Sequence, residues 1–267
     1  SKTYFFFKSR TMAKNKDIFI VLIRLFLGYI FFSAGVCKLT QGQFGQLIGP
    51  PWLEETLAKH GLGLFAQVVA VSQVVCGSLL MSQRFSVLGA LMLVPMNVAI
   101  LAVTVSMNWT GTPYINAIFL ALNIILLFLE RHKFMFLFKP NTTHSYKPTF
   151  TDRLGQDAYS WAGLAFSLAI MVAARYSTIL TNSFALLIFI CFAISILRVR
   201  VFHVLDLVLL AVPFLAMAVV TFANLHTLLT PFLLLLIALE GTMLIVRVIR
   251  GRQQAKQPDL SGSIAVN

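Results

Sequence analysis

The chain alternates long apolar runs with short, mostly basic connectors. Eight runs stand out, at about residues 18–39, 63–81, 85–107, 112–129, 158–175, 179–197, 203–223 and 227–247. A helix rises 1.5 Å per residue, so about 20 apolar residues cross a hydrocarbon layer about 30 Å thick. Inside lipid a helix satisfies its own backbone, and the runs therefore predict eight transmembrane helices. Pro95 and Pro213 fall in mid-span, where bilayer helices accept proline if neighbours satisfy the freed carbonyl. Between the first two runs, PPWLEETLAKHG predicts a short amphipathic helix. Its prolines lead, Glu54 and Glu55 occupy the first turn, and Gly61 stops it. Trp52, Leu53 and Leu57 are the residues that would seat it on the membrane surface.

Composition agrees with this pattern. Of 267 residues 58% are hydrophobic and 11% charged, with mean hydropathy +0.86, more apolar side chain than a soluble core of this size buries. A net charge of +12 would indicate nucleic acid in a soluble protein. Here the basic residues sit in the connectors, so topology and anionic lipid headgroups account for them and no nucleic-acid partner is expected. Lys14, Lys16, Arg84, Arg131, Lys133, Lys139, Arg198, Arg200, Arg247 and Arg250 all fall on one side of an eight-span layout, against Lys38, Lys59 and Arg175 on the other. The positive-inside rule then places both termini in the cytoplasm.

The expected architecture is an all-α, polytopic membrane bundle, N-in and C-in, in the inner membrane of a bacterium. Residues 1–16 form a cytoplasmic segment, in which Met12 makes a natural start. A four-helix unit follows at 17–130, with an external loop at 40–62. A cytoplasmic linker at 131–157 leads to a second four-helix unit at 158–247 and a disordered tail at 248–267.

Depth along the spans picks out candidate chemistry. Arg24 lies roughly 9 Å in from the cytoplasmic end of the first span and Glu240 roughly 10 Å in on the last, with Asp206 only about three residues deep. An ionisable group at membrane depth needs a partner or a wet cavity. Arg24, Glu240 and Asp206 are therefore expected in one layer, as an ion pair pinning the halves or as a transport or proton site. A second layer holds amides: Asn97, Asn116, Asn123 and Gln73. They serve interhelical hydrogen bonds or line a polar pocket for a quinone headgroup or small polar ligand. Lys38 ends the first span at the outer boundary, with Glu54 or Glu55 as partner. Lys38, Trp52, Glu54, Glu55, Trp109 and Tyr114 make up a candidate external contact surface. Gly28 and Gly35 stand seven apart, on one helix face, where another helix can approach closely.

Other chemistries find little support. His203 and His226 sit at opposite membrane edges, and His60, His132 and His144 lie in loops, which argues against a bis-histidine haem. No HExxH or Cys/His metal spacing occurs. Cys37 and Cys76 lie at different depths and no CxxC is present, which argues against a quinone-linked disulfide-forming enzyme.

The segment RLFLGYIFFSAGVCKL (24–39) combines Arg24, Gly28, Phe31 and Phe32, Ser33-Ala34-Gly35 and Lys38. Together with FSVLGALMLVPMNVAI and NWTGTPYINAIFLALNIILLFL, it resembles the DoxX-like membrane proteins over about residues 17–130. Residues 131–267 lie outside the resemblance. It implies a four-helix membrane subunit. Some such proteins are linked to quinone-dependent thiosulfate oxidation, others to oxidant-detoxifying membrane oxidoreductase complexes, and relatives of the same design act as cargo receptors or assembly helpers. The expected function is a membrane subunit that anchors or supports a complex, redox-related, with a protein partner and neither a catalytic centre nor a resident cofactor of its own. The alternatives are a quinone-interacting oxidoreductase subunit and a small-molecule or lipid transporter using Arg24 and Glu240.

Overall fold

A computed structural model describes residues 15–49, 53–134, 149–199, 202, 204–222 and 229–256. Among these residues every regular element is helical. In chain order they are α1 (Asn15–Leu39), α2 (Leu53–Lys59), α3 (Gly63–Met81), α4 (Ser86–Ser106), α5 (Thr112–Leu129), α6 (Ala158–Ala173), α7 (Thr178–Leu197), α8 (Val204–Phe222) and α9 (Leu229–Lys256). Each expected span is a helix, and α2 is the short helix expected between the first two. Seven of them are long and apolar enough to cross a membrane. The exception is α6, which ends at Ala173 after 16 residues. That is about 24 Å of rise, short of the hydrocarbon layer.

The centre of the bundle is α1. Over its most apolar stretch 83% of the residues are buried, against 6% for α9, which lies on the outside against α8 and α1. The sequence of α1 explains how it serves two neighbours at once. Gly28 and Gly35 both face α3. A Cβ at Gly35 would stand 2.6 Å from the Ala70 carbonyl oxygen, and one at Gly28 2.9 Å from that of Gly77. Small residues let two membrane helices touch backbone to backbone.

Tyr29 and Phe32 of α1 turn the other way. Tyr29 donates its hydroxyl to the Met217 carbonyl at 3.1 Å, and Tyr29 and Phe32 stack edge-on with Phe189 at 5.8 and 5.9 Å. One apolar core thus runs from α1 into α7 and α8, through Phe192, Leu210 and Phe214. A second fills the space among α1, α3, α4 and α5, through Leu27, Leu80, Leu93 and Leu126.

A polar seam joins the turn between α3 and α4 to the approach to α6. Ser160 donates to the Ser82 carbonyl at 3.1 Å, and Arg84 to the Gly155 carbonyl at 3.2 Å. The Arg84 guanidinium lies 4.8 Å from the Trp161 ring, within cation–π range. Gly155 takes φ +72°, and a Cβ there would stand 2.4 Å from the Ser82 oxygen, so only glycine fits.

Candidate functional site

Arg24 is fully buried on α1. Its Nε donates to Glu130 Oε2 at 3.1 Å and its Nη2 to Glu130 Oε1, a two-pronged pair. Nη1 donates to Gln83 Oε1 at 2.9 Å. Gln83 is itself oriented by donating to the Leu80 carbonyl at 3.2 Å. The planar guanidinium suits this fork, which is why arginine tolerates burial better than lysine. Glu130, at the C-terminal cap of α5, also accepts Lys133 at 2.6 Å, and Lys133 reaches Asp152 at 2.7 Å and Thr151 at 3.0 Å. Two cations and two carboxylates therefore close the basic end of the bundle, tying α1 to both flanks of residues 131–153.

The expected layer of Arg24 with Glu240 and Asp206 is corrected by this geometry. The anionic partner of Arg24 is Glu130, which ends the α5 run beside the charged stretch Arg131–Lys133. In the sequence it competes with Asp206, which stands at the same end of α8, another neighbour of α1. Asp206 instead accepts Arg247 of α9.

The amides divide. Asn123 donates to the Ala90 carbonyl at 2.9 Å and Asn116 to the Asn97 carbonyl at 2.8 Å. These two residues stand seven apart on α5 and bond α4 on either side of Pro95, the position where the α4 ladder lacks an N–H. The Asn97 side chain is fully buried without a hydrogen-bond partner among the described residues.

Asn116 and Gln73 line a cavity of about 300 Å³, together with Lys38, Thr104, Phe31 and Phe119, while Asn97 and Asn123 lie outside its wall. Lys38 points into the bundle and does not snorkel outward. Helix side chains lean toward their N-terminus, so at the C-terminal end of α1 the ammonium is carried back into the span. It donates to the Ala34 carbonyl at 3.1 Å and to Gln73 Oε1 at 3.0 Å. Two of its three N–H groups are thus used, and the residue is 4% exposed. Its direct partner is thus Gln73 rather than the expected Glu54 or Glu55, of which Glu54 feels it only as a nearby charge.

Residues 19–107 match the DoxX family model. They form a DoxX domain. The chain is also similar to the uncharacterized protein YwoB of Bacillus subtilis (strain 168), at 29% identity over 128 residues, covering 43% of this chain and 79% of YwoB. No solved structure matches it. With seven apolar helices of membrane length, this is a multi-pass membrane protein.

Arg24, Lys38, Gln73, Gln83 and Asn97 belong to the DoxX domain. Asn116 and Glu130 are supplied by α5 just beyond it. At the Lys38 end, the domain and the α6–α7 turn share a polar cleft of about 640 Å³ that includes Glu54, Glu55 and Arg175. Partial burial pushes the Glu54 carboxyl above its usual range, opposed by Lys38, Arg175 and a hydrogen bond with Gln67. Of the other contact candidates, Trp109 packs near Leu57 and Ala66, Tyr114 is 76% exposed, and Trp52 lies outside the described residues, as do His144, His203 and His226.

Proposed function

We propose that this chain is a membrane subunit of a redox-related complex that holds the head of a quinone-type molecule in the Lys38–Gln73–Asn116 cavity and has no redox centre of its own. The observation that carries the proposal is the buried Lys38 ammonium. It sits in the wall of an otherwise largely apolar cavity with one N–H left for a ligand. Asn116 has likewise used one amide N–H and keeps its other N–H and its oxygen. A quinone ring presents two carbonyl acceptors on a flat apolar frame, which matches cationic and amide donors between Phe31, Phe119 and aliphatic walls. The DoxX domain adds the link to quinone-dependent oxidation that the family resemblance implies. In this scheme the protein lies in a bacterial inner membrane, basic end inward, and a protein partner supplies the redox centre.

A short-chain menaquinone analogue titrated into protein in nanodiscs checks this. Lys38→Met and Asn116→Leu are expected each to weaken binding at least about tenfold, the loss of one well-placed hydrogen bond to a charged or buried donor. Binding unchanged in both variants overturns the quinone reading and leaves an anchoring role alone. The transporter alternative built on Arg24 and Glu240 acting together loses its site, since Arg24 is held by Glu130.

A further inference from the structure

A second cavity, independent of the quinone reading, lies among α1, α8 and α9. It has a volume of about 370 Å³, and its wall includes Phe19, Phe26, Pro213, Met217 and Leu236. One group breaks this apolar lining. Glu240 of α9 faces it, with both carboxyl oxygens buried and without a hydrogen-bond partner among the described residues.

Glu240 lies within the apolar run Pro231–Arg250, seven residues or roughly 10 Å from Arg247, the nearest cation on its helix. A glutamate side chain is too short to reach the headgroups from there. The cations on neighbouring turns are engaged elsewhere: Arg24 with Glu130 and Arg247 with Asp206. Among the described residues no lysine or arginine lines the groove. An acid placed in an apolar wall with nothing to bond is costly to keep, and a bound molecule of opposite charge removes that cost.

We infer that the α1–α8–α9 groove binds a lipophilic cation, with Glu240 as its counter-charge. The lining narrows the class further. A primary ammonium carries three N–H donors, and besides the two oxygens of one carboxyl this wall offers only carbon and the Tyr29 hydroxyl, already given to Met217, so a donor is left poorly satisfied. A cation whose charge is shielded by carbon, such as a quaternary ammonium or a phosphonium, has no such deficit. Phe19, Phe26 and Tyr29 line the same wall, and aromatic rings attract such a charge through cation–π interaction.

Because Glu240 makes no hydrogen bond within the described protein, Glu240→Gln leaves the fold intact and tests the ligand alone. The probes are tetraphenylphosphonium and tetraphenylborate, which share size and shape and differ in sign. Binding is measured to protein in nanodiscs, with empty nanodiscs subtracted to remove lipid partitioning. The wild type is expected to bind the phosphonium above the lipid background and the borate not at all. Glu240→Gln is expected to weaken phosphonium binding at least about tenfold, while Glu55→Gln, an exposed carboxyl outside the groove, changes nothing. Equal phosphonium binding by wild type and Glu240→Gln, or equal excess binding of the borate, overturns the inference and makes the groove a seat for acyl chains only.

Discussion

Glu130→Gln is expected to destabilise the protein by about 3–5 kcal/mol, the usual consequence of removing one partner from a buried ion pair. Glu130 is the anion on which two cations converge, Arg24 and Lys133. Its loss leaves a fully buried guanidinium with Gln83 as its remaining side-chain partner. Arg24→Met is expected to cost less, because Glu130 then still holds Lys133 at 2.6 Å and Lys133 still holds Asp152. The double variant Arg24→Met/Glu130→Leu is expected to recover much of the loss, since a well-packed apolar pair of similar size is often as stable as a buried salt bridge. Thermal or SDS unfolding of the four proteins in one detergent gives the coupling energy directly. A Glu130→Gln protein within about 1 kcal/mol of wild type, the range of an exposed pair, would show that water reaches this end of the bundle.

Gly77→Val is the other large effect, expected at about 3 kcal/mol or more, the upper end of overpacking costs. A Cβ at Gly77 would lie 2.5 Å from the Gly28 carbonyl oxygen and 2.6 Å from the Phe32 nitrogen. Both are backbone atoms, and α1 cannot retreat from them. It is fixed on its opposite face by the Tyr29–Met217 hydrogen bond and the Phe32–Phe189 contact. Gly241→Ala provides the contrast, because no atom lies within 4 Å of a Cβ there; it is expected to be neutral or slightly stabilising through helix propensity. Comparing the unfolding midpoints of the two variants separates a packing effect from a general intolerance of glycine replacement. Equal midpoints would show that α1 and α3 can part without penalty.

The spans were readable because a membrane sets a length scale that a single run of residues must meet. The pairing of Gly28 with Gly35 on one face was readable for a similar reason, since helical period fixes which residues of one helix share a side. Asn116 and Gln73 were recognisable as polar residues at depth. Whether they lined a cavity or merely bonded a neighbour depended on the helix opposite, and the four amides split between these roles.

Charge partners were misjudged where the argument needed two helices at once. Arg24 was expected to meet Glu240 across the halves, yet Glu130 at the end of α5 takes that place; the tail expected to be disordered from residue 248 is helical as far as Lys256. Lys38 was set at the outer surface by its position, whereas the lean of side chains along α1 carries its ammonium inward.

The sequence by itself determined an all-helical membrane protein, the approximate places of its helices, and the DoxX character of its first part. Each of these follows from local composition, from periodicity within one helix, or from motifs within a short stretch. Only the tertiary structure decided that Arg24 meets Glu130, that Lys38 faces a cavity, and that Glu240 faces an apolar groove. Those facts depend on which helices are neighbours. Lipid is as apolar as the side chains it surrounds, so hydrophobic pattern does not choose among neighbours, and close-packing glycines and buried polar bonds must do so.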